Sequence, residues 1–242
     1  MRRAVRISPA RAGMTRPDRS NRAPERRPDP TKALALGAVA AAAAAGFGVL
    51  AAAVARRDTA HADHAARKRT AVRRGHPARK AAEAMAPAGK WWSYIPAALG
   101  ASLYVLRAAA PPGEDRPRSR RTGAGAVFLA GVVATAINPA FDRWLPQPPA
   151  PPGHRSRRKP VFPSGHAFGP SAVSLAMAYV LTRERLARPA VAFPAALAIP
   201  AVTAGARVLQ EKHWASDVLG GYLGGVAVAA ACVAAYEAAG AR

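Results

Sequence analysis

Apolar stretches about as long as a bilayer is thick alternate along this chain with segments crowded with arginine and lysine. The first stretch runs from about Lys32 to Ala55 and carries no charge after Lys32. Five more follow: Trp91 to about Ala110, Thr122 to about Ala140, Gly165–Leu181, Pro189–Ala206 and Asp217–Ala239. The mean hydropathy of −0.04 conceals this segregation. A segment placed in hydrocarbon must satisfy its own backbone hydrogen bonds, so stretches of this kind become helices. None shows a strict amphipathic period, as suits segments facing apolar surroundings on most sides. The expected fold is therefore all-α, a six-helix transmembrane bundle.

The intervening segments define the remaining organisation. Residues 1–31 are rich in Arg and Pro without apolar periodicity and read as a disordered basic tail. The tail is too long, and the following apolar block too late, for a secretory signal peptide. Residues 32–90 read as a first membrane span followed by a basic segment whose alanines and arginines favour helix. Residues 91–240 read as the core. Trp91, Trp92 and Tyr94 open the second block where an interfacial aromatic belt is expected. The sixth block carries Gly220, Gly221, Gly224 and Gly225, two small-xxx-small pairs that let a neighbouring helix approach closely.

The formal charge is +23, which calls for an anionic partner. Aromatics make up 6% of residues and do not interleave the basic segments, so the pattern does not resemble a base-stacking surface and nucleic acid is not the expected partner. The anionic face of a membrane is. Cys232 is the single cysteine, which excludes an intrachain disulfide or a thiolate metal cluster.

Two short clusters carry chemistry. His213 and Asp217 stand four apart, so on a helix beginning near His213 they share a face. A carboxylate there fixes the imidazole tautomer and leaves the other ring nitrogen free to attack. Arg207, just upstream, offers a planar donor fork for phosphate oxygens. In the other cluster, Pro163 ends a loop and Ser164-Gly165 starts the fourth block. Serine is a favoured N-cap, and a helix N-terminus attracts anions. His166 then stands beside such an anion, placed to protonate a leaving oxygen. Taken singly, these residues read as a cap, an interfacial anchor and a headgroup contact. Two spans separate the clusters, so they share one membrane face and act jointly.

The run Pro163-Ser164-Gly165-His166, followed by Arg207, His213 and Asp217 as R-x5-H-x3-D, resembles the type 2 phosphatidic acid phosphatase family. That family shares a superfamily with vanadium-dependent haloperoxidases, and the resemblance covers roughly residues 90–240. It implies a six-helix membrane bundle of the same kind. It also implies that His213 is the nucleophile forming a phosphohistidine, that Asp217 orients it, and that His166 protonates the leaving group and then activates water. Ser164, Gly165 and Arg207 would bind the phosphoryl oxygens, and neither metal nor cofactor would be required. The chain departs from the pattern twice. Ala206-Arg207 stands where Ser-Arg is usual. The motif K-x6-R-P ahead of the first cluster becomes Arg143, six residues, then Ala150-Pro151, so its arginine is missing. Arg143 is the remaining candidate phosphate ligand of that motif, with Arg155, Arg157, Arg158 and Lys159 in the same loop.

The expected activity is hydrolysis of a lipid phosphate or diphosphate, of the polyprenyl diphosphate or phosphatidate class, in a bacterial cell membrane. The missing arginine leaves a second reading, a weak or inactive relative that binds anionic lipid. A haloperoxidase is disfavoured by the apolar blocks. With six spans and the N-terminus inside, Lys and Arg divide 19 inside to 17 outside and the site faces outward; with the first block out of the membrane they divide 27 to 9 and it faces inward. The cost of leaving that block in water favours the outward site. Oligomeric state is not legible.

Overall fold

The structure is a computed structural model that describes residues 29–73, 75–109, 117–154 and 161–239. The expected tail falls almost wholly outside these residues. Among them are eight α-helices and one 3₁₀ turn: α1 (Pro30–Arg56), α2 (Ala60–Thr70), α3 (Pro77–Met85), the turn Ala86–Gly89, α4 (Trp91–Arg107), α5 (Pro117–Trp144), α6 (Gly165–Arg183), α7 (Pro189–Leu209) and α8 (Ala215–Ala239). Each of the six apolar blocks is one long helix, and the basic segment supplies α2, α3 and the turn.

Local signals explain several boundaries. Asp29 caps α1, its carboxylate accepting the Lys32 N–H at 3.1 Å, with Pro30 in the first turn. At the far end Arg57 adopts a left-handed φ of 63° and closes the helix. His76 and Pro77 start α3 in the same way, the imidazole accepting the Ala78 N–H at 3.2 Å.

Four of the long helices, α1, α5, α7 and α8, have the length and apolar composition to cross a membrane. The two others among the six expected spans differ for physical reasons. α4 has 17 residues, about 26 Å of helix. α6 lies at the centre of the bundle against α4, α5, α7 and α8. Protein rather than lipid surrounds it, and it accordingly carries Ser171 and Ser174, both buried. In α1, by contrast, only Ala43 and Val54 are buried. Its exposed Leu34, Val39 and Val49 present an apolar surface suited to lipid.

The helices alternate in direction. α1 runs antiparallel to α8: Leu36 packs on the cluster that contains Val233 and Tyr236, Gly46 faces Leu223, and Asp63, just beyond α1, bonds Ser216. One end of the bundle therefore gathers the end of α1, the starts of α4, α6 and α8, and the ends of α5 and α7. The glycines of α8 bring it onto α6. A Cβ at Gly221 would meet Ala167 Cβ and the Ser164 carbonyl oxygen, each at 2.6 Å, and one at Gly225 would meet Ser171 Cβ at 2.5 Å. Glycine is required there so that the starts of the two helices can touch.

At the opposite end the bundle is closed by buried charge. Arg183 donates to both carboxylate oxygens of Glu237, at 2.7 and 3.0 Å, and Tyr179 donates to Glu237 at 2.7 Å. Glu184 accepts from Ser119 at 2.5 Å and from Tyr236. These bonds tie α5, α6 and α8 together.

Candidate active site

The turn between α7 and α8 is folded around its own backbone. Arg207 lies in the last turn of α7, where the Lys212 N–H returns to its carbonyl at 2.8 Å. α8 begins at Ala215, so His213 precedes the helix instead of sharing a helical face with Asp217. The expected pairing forms nevertheless: His213 Nδ1 and Asp217 Oδ2 are 3.2 Å apart. The same oxygen accepts the Trp214 N–H at 2.9 Å. This is the reach-back half of a capping box, made by an aspartate in the helix's first turn. Asp217 is fully buried and His213 is 9% exposed, so the pair is held where its hydrogen bond competes little with water.

The other cluster meets this one through backbone and side chain. Ser164 occupies the N-cap of α6 as expected, but its hydroxyl makes no capping bond. Its N–H instead donates to the Asp217 carbonyl at 2.9 Å, joining the starts of α6 and α8. Gly165 lies against Asn138 of α5, whose Nδ2 stands 2.8 Å from where a Cβ would be. His166 is half-buried in the first turn of α6, and Thr203 of α7 donates to its carbonyl at 3.0 Å. The rings of His166 and His213 face each other with centroids 6.4 Å apart and planes inclined by 54°. The two imidazoles therefore border the same small space at this end of the bundle.

Several buried polar atoms here have no hydrogen-bond partner: Ser164 Oγ, His166 Nε2, Arg207 Nε and Asp217 Oδ1. Asn138 Oδ1 and Gln210 Nε2 join them. Buried polar groups are ordinarily paired, so such a concentration makes this place the candidate binding site. Arg207 also donates through Nη1 to Gln210 Oε1 at 3.2 Å, which steadies its fork.

Thus the structure brings together Ser164, Gly165, His166, Arg207, His213 and Asp217. It leaves Arg143 exposed in the last turn of α5. Arg155, Arg157, Arg158 and Lys159 lie outside the described residues. Lys212 adds a cation next to His213; burial, and then the charge of Arg207, hold its pKa below the usual lysine value. Among the described residues no group of three or more His, Cys, Asp or Glu is placed to hold a metal.

Sequence reasoning missed four contributors. Asn138 and Gln210 carry no motif. Gly89 packs on His166, a Cβ there falling 2.8 Å from its Cδ2. Asp63 is buried and bonds Ser216. The only cue to the last was an acid within a basic run.

Comparisons with known proteins bear on this arrangement. The family model described as PAP2 superfamily matches residues 122–241. No curated protein matches the chain. The fold is similar to the crystal structure of the first transmembrane PAP2 type phosphatidylglycerolphosphate phosphatase from Bacillus subtilis. The TM-score is 0.61 at 22% identity, over 78% of this chain and 91% of that one.

Proposed function

Over residues 122–241 the chain belongs to the PAP2 superfamily, and on that premise we propose that it is an integral membrane phosphatase hydrolysing a lipid phosphate or diphosphate through a phosphohistidine. The observation that carries this reading is the pairing of His213 with buried Asp217, facing His166 across 6.4 Å among unpartnered polar atoms. The domain reading is kept: a basic tail over 1–31, a span and basic segment over 32–90, and a phosphatase core over 91–240.

With its Nδ1–H held by Asp217, His213 presents the Nε2 lone pair to phosphorus. The N–P bond forms as the bond to the leaving oxygen breaks, and His166 gives that oxygen a proton. Water then attacks phosphorus and loses a proton to His166. The N–P bond breaks, its electron pair returns to His213, and phosphate leaves. Arg207 and the Ser164-Gly165 turn stabilise the charge that builds on the phosphoryl oxygens. Arg143 helps from the rim, reaching the headgroup rather than the reacting phosphorus.

α1 runs the length of α8, which supports the arrangement in which it crosses the membrane and the site faces outward. An outward site suits a polyprenyl diphosphate such as undecaprenyl diphosphate. Phosphatidate and phosphatidylglycerolphosphate are the other members of the class to compare.

The test is phosphate release from purified protein presented with these three lipids. We expect release that survives chelator and disappears in His213→Ala; turnover persisting in that variant would sink the mechanism. The same assay on intact cells, with an impermeant short-chain substrate, should show external hydrolysis. The exposed Arg143 sustains one other reading, a relative that binds anionic lipid without turnover, identified by tight lipid binding and no released phosphate.

A further inference from the structure

The superfamily match begins at residue 122, yet the segment from α2 to the turn Ala86–Gly89 lies against His166 and against the residues that flank His213. The reason starts at α8. Trp214, immediately before the helix, has no side-chain acceptor, so the first-turn N–H groups lack a local cap. Asp217 takes one of them, that of Trp214. Asp63 of α2, 153 positions away in sequence, takes another: its Oδ1 accepts the Ser216 N–H at 2.9 Å and its Oδ2 accepts the Ser216 hydroxyl at 2.7 Å. Asp63 is only 6% exposed although it sits in a basic, polar segment.

Further contacts from the same segment hold the rest of the turn. Arg67 pairs with Glu211 at 2.6 Å, Arg79 donates to the Gln210 carbonyl at 3.1 Å, and the edge of His64 meets Trp214 with centroids 5.0 Å apart. His213 stands between these anchored residues. On the other side of the site, Gly89 lies on His166 so closely that a Cβ would stand 2.8 Å from Cδ2 and 3.0 Å from Cβ of the histidine.

We propose that the described residues between 60 and 89 form a positioning collar for the two histidines, with Asp63 as the positioning residue for His213 and Gly89 setting the place of His166. The proposal rests on the phosphatase reading above. Asp63 would not touch substrate. By capping α8 from outside, it fixes the first turn that carries Asp217 and with it the direction of the His213 ring. A misplacement of order 1 Å at a nucleophile costs about 100-fold in rate.

The test compares full-length Asp63→Leu, Asp63→Asn and Gly89→Ala with the unaltered chain. The readouts are kcat, KM and inhibition by inorganic phosphate, with one alkyl phosphate and one aryl phosphate whose phenol leaves without protonation. Asp63→Leu should lower kcat roughly 10- to 100-fold on both substrates, with KM and phosphate inhibition within about twofold. Asp63→Asn keeps an acceptor for the Ser216 N–H and should recover to within about threefold. Gly89→Ala should suppress the first turnover of the alkyl substrate and keep the burst of phenol from the aryl one, because His166 gives a proton to the leaving oxygen only in the first step; the later attack of water should slow on both.

A kcat for Asp63→Leu within about twofold of the unaltered chain, or a loss that the asparagine does not recover, overturns the collar. Should Asp63→Leu fail to fold, Ser216→Ala removes only the hydroxyl arm. A drop of about threefold in kcat at constant KM then supports the collar, and no change overturns it. An unaltered chain that turns over no lipid phosphate fails the phosphatase reading and the collar with it. An active chain indifferent to Asp63→Leu fails the collar alone.

Discussion

At one end of the bundle Glu237 is fully buried and meets Arg183 through two hydrogen bonds and Tyr179 through a third. At the other end Asp217 is fully buried too, yet one of its oxygens, together with atoms of Ser164, His166 and Arg207, has no partner. Both ends take polar groups out of water, which is costly unless they are paired. Glu237 answers that cost with partners of its own. The Asp217 end holds its polar atoms in place by other means: the capping bonds of Asp217 and Asp63, the Ser164–Asp217 backbone link, and the close glycine contacts of α8. On the proposed reading, the Asp217 end is the one that a ligand completes.

Asp217→Asn is the substitution expected to separate the two ends most strongly. The amide still fits the buried site and can accept the Trp214 N–H. It no longer favours the imidazole tautomer that frees Nε2, nor the cation that forms when phosphorus bonds His213. We expect kcat to fall by about 10² to 10⁴, while the thermal melt in detergent moves little. A melt lowered as far as the activity would mean that Asp217 belongs to the stabilising class after all.

Glu237→Gln should do the reverse. It leaves Arg183 facing an amide in a buried place, and breaking such a pair costs about 3 kcal/mol or more. The melt should drop clearly while kcat per folded molecule stays within about twofold of the unaltered chain, since the two ends share no partners. Loss of turnover in the folded fraction would show that the ends are coupled through α6 and α8.

How much of this contrast the sequence carried follows from how local each signal is. The long helices were legible as apolar blocks, and their ends fell within a few residues of the expected ones because Asp29, Pro30, Ser164 and Pro189 mark them. The glycine pairs of α8 announced a close neighbour, and α6 is that neighbour. His213 and Asp217 were legible as a pair, although the helix starts after His213 and the contact crosses its beginning. What was hidden is long-range. Nothing near Asp63 signals that it caps a helix 153 positions away. Gly89 looks like any glycine at the end of a short loop, and Asn138 shows its place only once Gly165 is packed on it. Glu184 and Glu237 read as ordinary charges at block ends, because burial is a property of the assembled bundle.

The smallest effect is expected at Lys212, where the character of the site end shows as a pH dependence. Burial, and then Arg207, depress its pKa in the folded protein below the unfolded value. Between the two values the unfolded chain binds more protons, so stability rises with pH across that window. The cost of the charged lysine is fully present below the folded value and vanishes above the unfolded one, about 10.4. Lys212→Gln should therefore raise the melt slightly at neutral pH, and the gain should shrink towards zero as the pH approaches that of free lysine. The same substitution should weaken inhibition by inorganic phosphate, more at low salt than at high, because it removes a cation beside the site. A variant that melts lower at neutral pH would place Lys212 among the stabilising charges and erase the distinction between the ends at this residue. A higher melt with weaker phosphate inhibition would show that the site end holds its positive charge for a ligand, at the expense of the fold.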